Sequence, residues 1–150
     1  PAADSLSDRG PAINESLSQL VSRHGTAPLA DAQAECLAGA VYFESKSEPL
    51  DGQLAVAQVI MNRASSGRFP GSLCGVVKQR GQFSFIRGNA FPPINRASAD
   101  WREAVGVSHV ALKGLKSSSV GKALFFHARH VSPGWKLQRI GAVGNHIFYR

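Results

Sequence analysis

Residues 30–46 read ADAQAECLAGAVYFESK, and their apolar residues recur with the spacing of an amphipathic helix. Four side chains fall on one face of that helix. They are Leu37, Ala40, Val41 and Glu44. Pro49 closes the pattern, because the residue before a proline is pushed out of helical geometry. The stretch therefore predicts a helix over residues 30–46 whose buried face carries a carboxylate.

Glu44 is the candidate catalytic residue of that face. A carboxylate held against apolar surface keeps its proton more readily than one in water, and a general acid must carry a proton near neutral pH. The alternative is that Glu44 lies at the helix end, reaches water or pairs with an arginine, and has no chemical role.

The following segment predicts a second, more central helix. Leu50-Asp51-Gly52 forms a turn in which Asp51 is a plausible helix cap. Residues 53–64 (QLAVAQVIMNRA) are apolar on nearly every side, as in a buried helix. Residues 65–94 are rich in glycine and proline, which predicts mostly loop with short helical turns.

The last third of the chain combines a helix with short strands. Residues 99–113 are amphipathic and Gly114 is their stop signal. Residues 123–128 and 146–149 read as two strands, which we expect to pair. The predicted fold class is α+β, mainly α, with a small antiparallel ribbon near the C-terminus.

The length of 150 residues and the apolar content of 43% suit one compact catalytic domain, which we place at residues 30–150. Residues 1–29 read as a tether or linker, although Leu17, Leu20 and Val21 have a spacing that allows a short helix. No stretch reaches the roughly 18 apolar residues of a membrane span. The chain opens on Pro1, so we expect a processed product or an excised fragment without its signal segment.

Charge is unevenly distributed along the chain. Residues 1–50 hold seven acidic and three basic side chains, whereas residues 51–150 hold three acidic and fourteen basic ones. This polarity favours a polyanionic partner, such as nucleic acid, an anionic membrane or an acidic cell-wall polymer. The basic residues are scattered singly, and no ribonucleoprotein or groove-entering motif is present, so we expect no nucleic-acid partner.

Cys36 and Cys74 leave two interpretations open. They could be two small buried hydrophobic residues. In an exported chain they could instead form one disulfide, and we favour this bridge.

The block VYFESKSEPLDGQLAVAQVIMNR (residues 41–63) resembles cell-wall hydrolases of the SleB/CwlJ type, first known from spore cortex-lytic enzymes. Further matches follow in the family's order. They are Phe69-Pro70, Cys74-Gly75-Val76-Val77, Gln82-Phe83-Ser84-Phe85, Phe126-His127-Ala128 and Gly144-Asn145-His146-Ile147-Phe148. The chain departs from the family at Ser45-Lys46-Ser47, where Ala-Arg-Gly is usual.

The resemblance implies a lysozyme-like, lytic-transglycosylase-like domain that cuts the glycan strands of peptidoglycan, as a muramidase or a lytic transglycosylase. Glu44 occupies the position of the family's catalytic glutamate. The implied location is the bacterial cell envelope, periplasmic or secreted, and we expect a monomer with no cofactor. Any envelope-protein partner is unknown.

Glycosidic cleavage needs a proton donor and stabilisation of an oxocarbenium-like centre. Glu44 supplies the first. Glu48 is predicted to be a supporting acid that bonds the next helix start or an arginine, with a direct catalytic role as the alternative. Because the remaining acids offer little, a single glutamate acting as acid and then base fits best. Asn62 is a second predicted supporting residue.

Sugar binding calls for aromatic platforms and short polar side chains. The candidate substrate-binding residues are Ser84, Gln82, His127, Tyr42, Trp135 and His146. A metal site formed by His127, His130 and His146 is disfavoured, because the usual zinc spacings are absent.

Two alternatives to an enzyme remain. One is a catalytically inactive module that binds peptidoglycan as a scaffold. The other is a nucleic-acid or membrane-surface binder that uses the basic half of the chain.

Overall fold

The computed structural model describes residues 15–150, which form a mainly helical domain with a small sheet. Within these residues lie five helices and three strands. The helices are α1 (Leu17–His24), α2 (Ala32–Ser45), α3 (Leu50–Ser65), α4 (Leu73–Val77) and α5 (Ala99–Lys113). The strands are β1 (Phe125–Ala128), β2 (Arg139–Val143) and β3 (His146–Tyr149). The predicted α+β class, mainly α, is confirmed.

The short helix allowed by the periodicity of residues 1–29 is present as α1. Ser16 and Gln19 form a capping box at its start. Leu20 and Val21 are buried against α5, where a Cβ at Gly106 would come within 2.3 Å of the Val21 carbonyl oxygen. Only glycine allows this approach, so α1 is part of the packed domain. Residues 1–14, the rest of the expected tether, lie outside the described residues.

Helices α2, α3 and α5 pack against one another and form the core. The predicted helix over residues 30–46 is confirmed as α2, and Asp31 caps it by accepting a hydrogen bond from the Ala34 amide. The central helix is confirmed as α3, but its start differs. Asp51 lies in the first turn and accepts from the neighbouring Gly52 amide, so its predicted role as the cap is wrong.

The glycine- and proline-rich segment contains α4 and otherwise lacks regular helix or strand, as expected. A disulfide joins Cys36 of α2 to Cys74 of α4, which confirms the favoured interpretation. The bridge ties the segment to the helix that carries Glu44.

The two predicted strands pair as antiparallel β1 and β3. The sheet has a third strand, β2, on the other side of β3, and the order is β1-β3-β2. Strand β2 was not predicted, because it contains Gly141, bends at an irregularity between Arg139 and Gly141, and has no buried face. Among residues 15–150, no helix is both long and apolar enough to cross a membrane.

Candidate active site

Glu44 lies one residue before the end of α2. The apolar residues of its face, Leu37, Ala40 and Val41, are fully buried, as predicted. The Glu44 side chain is 25% exposed, because the helix ends here and the carboxylate reaches the domain surface. Glu44 thus lies on the predicted apolar face, and it also reaches the surface and contacts His146 at the helix end.

His146, the first residue of β3, stands between two carboxylates. Its Nε2 lies 3.5 Å from Glu44 Oε1, and its Nδ1 lies 3.2 Å from Glu48 Oε1 in an ion-pair contact that is not an aligned hydrogen bond. Burial alone would lower the pKa of His146, but the two carboxylates outweigh it and raise the pKa above its ordinary value of 6.5. The imidazole therefore links the two acids.

The Glu48 side chain is hydrogen-bonded to the turn between β2 and β3. Its Oε1 accepts a hydrogen bond of 3.1 Å from the Asn145 amide, and its side chain is 10% exposed. Within residues 15–150, the Glu48 carboxylate makes no hydrogen bond to the start of α3 and no ion pair with an arginine, in contrast to the expectation. The main-chain carbonyl of Glu48 does accept a hydrogen bond from Gln53 Nε2 of α3. Glu48 thus holds the sheet turn that presents His146 to Glu44.

Ser47 lies between the two glutamates with a left-handed backbone, φ 69°. Glycine adopts this conformation without the steric cost that a Cβ brings. This is the position where the resembled family usually has glycine. The chain therefore keeps the turn after α2 at a conformational cost.

Arg63 of α3 was not predicted as a site residue. Its Nε donates to the Leu124 carbonyl at 2.7 Å, and its guanidinium lies over the Phe69 ring at 4.7 Å. Burial lowers the pKa of Arg63 to about 10, opposed by the charge of Glu44. Arg63 is the one charged residue of the predicted buried helix at residues 53–64, and this was the available signal.

Asn62, a predicted supporting residue, fixes the loop before β1. Its Nδ2 donates to the carbonyls of Gly121 and Ala123 at 2.8 and 2.9 Å. These bonds hold the start of the sheet against α3, on which Arg63 is the next residue.

Gln82 and Ser84 are exposed and flank the buried Phe83. Gln82 Oε1 accepts a hydrogen bond of 3.4 Å from Arg63 Nη1. Gln82 therefore contacts the guanidinium whose pKa is raised by the charge of Glu44 against the effect of burial. Within residues 15–150, Ser84 makes no side-chain hydrogen bond to another candidate residue, and its sugar-binding role stays a prediction.

Tyr42 does not face the site. Its ring is in edge contact with Trp101 of α5 at a centroid distance of 5.9 Å, and the residue is 6% exposed. Two positions along a helix turn the side chain by about 200°, so Tyr42 and Glu44 point to different sides. The burial and direction of Tyr42 do not favour its predicted substrate-binding role.

His127 and Trp135 belong to the other face of the sheet. His146 pairs with Ala128, whereas His127 pairs with Ile147, so the two histidines point to opposite faces. His127 Nε2 shares a hydrogen bond of 2.7 Å with the Tyr149 hydroxyl, and Trp135, 40% exposed, packs edge-on to His127. The structure therefore does not bring either residue to Glu44, in contrast to the expectation of one shared sugar site.

No group of three or more histidine, cysteine, aspartate or glutamate side chains within residues 15–150 is arranged to hold a metal ion. The opposite directions of His127 and His146 explain why the histidines do not converge.

Comparison with known proteins places this geometry in a family. Residues 47–149 match the family model described as Cell Wall Hydrolase, a region that begins three residues after Glu44. The spore cortex-lytic enzyme of Oceanobacillus iheyensis is 36% identical over 119 residues, covering 76% of this chain and 40% of the relative. That of Bacillus subtilis is 36% identical over 114 residues, covering 75% and 35%. The chain thus spans about two fifths of the length of these curated relatives.

A solved structure gives the same result. The catalytic domain of the germination-specific lytic transglycosylase SleB from Bacillus anthracis superposes with a TM-score of 0.65 and 29% identity, covering 83% of this chain and 98% of that chain. The catalytic domain of SleB from Bacillus cereus gives a TM-score of 0.62 and 27% identity, covering 83% and 94%. The chain, with its lysozyme-like helical frame and C-terminal sheet, belongs to the cell wall hydrolase family.

Proposed function

We propose that this domain cleaves the glycan strands of peptidoglycan, with Glu44 as the single catalytic carboxylate. The observation that carries the proposal is that two neighbouring glutamates differ in their hydrogen bonding and exposure. Glu48 is occupied by the Asn145 amide and His146, whereas Glu44 is a quarter exposed. Within residues 15–150, only His146 lies in ion-pair contact with Glu44. Glu44 is therefore the acid that can meet a substrate.

In the proposed reaction, Glu44 first donates its proton to the leaving glycosidic oxygen as the bond to the anomeric carbon breaks. The resulting Glu44 carboxylate then removes the proton from the 6-hydroxyl of the same sugar, whose oxygen bonds to the anomeric carbon. The product is a 1,6-anhydro end, and no second carboxylate is required. Water entering the same site would instead give a reducing end.

The surrounding charges suit the second step, in which Glu44 acts as a carboxylate. When His146 is protonated, it places a cation 3.5 Å from Glu44 Oε1, and Arg63 is a second cation whose charged form the charge of Glu44 favours. Both stabilise the carboxylate that forms after proton donation. The relatives support the reaction type, since SleB of Bacillus anthracis is described as a lytic transglycosylase.

The setting of the reaction is the bacterial cell envelope, periplasmic or secreted. The Cys36–Cys74 disulfide supports this location, because disulfides persist in oxidising compartments. The acidic groups of the wall also suit the positive charge of residues 51–150.

The test is the Glu44→Gln variant on purified sacculi. We expect it to abolish the loss of turbidity while the protein still sediments with the sacculi, whereas the control Glu35→Gln, at an exposed ion pair with Arg96, keeps the activity. Activity retained in Glu44→Gln would refute the assignment of Glu44. Wild type that sediments with sacculi without clearing them would favour the inactive scaffold.

Mass spectrometry of the digest tests the product. The proposal predicts 1,6-anhydro ends, and a digest with reducing ends alone would show hydrolysis instead.

A further inference from the structure

A basic cavity lies beside the C-terminal end of α3, where the loop entering β1 and the last residue of the described chain meet it. Its volume is about 490 Å³. Arg68, Lys122 and Arg150 are among its lining residues, none of which is acidic, and Glu44 is not among them. This cavity therefore lies beside the site described above and shares Asn62 with it.

The three cationic residues have no acidic partners within the described part of the chain. The ion pairs of residues 15–150 involve Arg23, Arg96 and His146 instead. Like charges around one opening repel each other, and an anion bound between them would relieve that repulsion. The cavity is therefore electrostatically suited to an anionic ligand.

The backbone that carries these cations is fixed. Asn62 holds the carbonyls of Gly121 and Ala123, the two residues on either side of Lys122. The Arg68 amide donates to Ser66 Oγ at 3.1 Å, and the Arg68 guanidinium lies 5.7 Å from the centre of the Phe125 ring. Binding an anion would therefore require little ordering of the main chain, which favours affinity.

The size of the cavity indicates the class of ligand. A single inorganic anion would leave most of about 490 Å³ empty, whereas a short peptide with several carboxylates would fill it and meet more than one cation. Arginine recognises carboxylates through its planar fork, and Leu124 gives the wall an apolar portion. The stem peptides of peptidoglycan have this chemistry, since they are short and carry several carboxylates.

We propose that this cavity binds the carboxylates of a peptidoglycan stem peptide, an inference that rests on the proposed function. Asn62, which lines the cavity, is followed on α3 by Arg63, the cation that interacts with Glu44. A bound stem peptide would thus be held from the same end of α3 that supplies charge to the catalytic acid.

The test measures binding of the tripeptide L-alanyl-γ-D-glutamyl-meso-diaminopimelate by calorimetry and by NMR titration of the whole chain. Lys122→Glu replaces attraction by repulsion, and we expect it to weaken binding roughly three- to tenfold. Arg68→Gln, which removes one charge, is a second variant expected to weaken binding. The control Lys136→Glu makes the same charge change on an exposed segment outside the cavity and should alter binding less than twofold.

Two further probes identify the ligand chemistry. The same tripeptide with its carboxylates amidated should bind more weakly than the free acid, and inorganic phosphate should bind more weakly than the tripeptide. Equal effects of Lys122→Glu and Lys136→Glu, or no binding of the tripeptide, would overturn the proposal. Tighter binding of phosphate would overturn it in favour of a phosphate-containing polymer. Because the tripeptide contains no glycosidic bond, these results are independent of whether Glu44 is catalytic.

Discussion

Replacing Glu48 by alanine should destabilise the domain, because this side chain joins the α2–α3 connection to the sheet turn. The variant removes the hydrogen bond from the Asn145 amide, 3.1 Å long, and the contact with His146 Nδ1 at 3.2 Å. A hydrogen bond to a charged group contributes about 1.5–3 kcal/mol, so we expect a loss of about 2–3 kcal/mol in the free energy of unfolding near pH 6. For a chain of 150 residues this lowers Tm by roughly 6–10 °C.

Calorimetry of three variants separates this contact from a general charge effect. Glu48→Gln keeps an oxygen acceptor for the Asn145 amide and should lose less stability than Glu48→Ala. Glu35→Ala removes an exposed pair with Arg96, whose glutamate side chain is 44% exposed, and should cost less than about 1 kcal/mol. A Glu48→Ala variant as stable as wild type, or a glutamine variant as unstable as the alanine variant, would refute the reasoning.

Three other changes have defined outcomes. Ser47→Gly should raise the free energy of unfolding by about 0.5–1 kcal/mol, because removing the Cβ from a residue with a left-handed backbone relieves more strain than the freedom gained by the unfolded chain costs. Urea denaturation measures the change, and a loss of stability would contradict the prediction. Replacing Cys36 and Cys74 together by alanine removes the crosslink between two residues that are 38 positions apart in sequence. The chain-entropy model predicts a loss of about 4 kcal/mol in the free energy of unfolding, which urea denaturation measures with reduced wild type as the control. Because the pKa of His146 is raised in the folded state, its contacts stabilise the fold fully below about pH 6.5 and are lost as pH rises through that pKa. Urea midpoints between pH 6 and 9 should therefore fall more steeply for wild type than for His146→Gln, and parallel curves would contradict the assignment.

The helices could be predicted because their information is local. The predicted bounds of residues 99–113 match those of α5, and the apolar face before Glu44 is buried as its spacing indicates. That Tyr42 points away from Glu44 could also have been predicted, since residues two positions apart on a helix do not share a face. The sequence pattern alone thus led to the fold class and to the candidate acid.

The remaining site depends on contacts between distant parts of the chain. The Glu48 bond to Asn145 spans 97 positions, and no local pattern indicates such a partner. Whether His127 or His146 faces Glu44 is decided by strand register, since a shift of one residue exchanges the two faces. The third strand was missed for a related reason, because its residues are half exposed and stabilised by pairing with β3.

The central claim is that Glu44 reacts with the substrate while Glu48 only supports the site. Its most direct test is the initial rate of glycan release from purified sacculi by Glu44→Gln and Glu48→Gln, both checked for folding by circular dichroism. Removing a general acid costs on the order of 10²–10⁴ in rate, so Glu44→Gln should lose at least about a hundredfold. Glu48→Gln should stay within about tenfold of wild type, because its amide oxygen can still hold the Asn145 amide. Equal losses in the two variants, or a larger loss in Glu48→Gln, would contradict a mechanism with one catalytic glutamate.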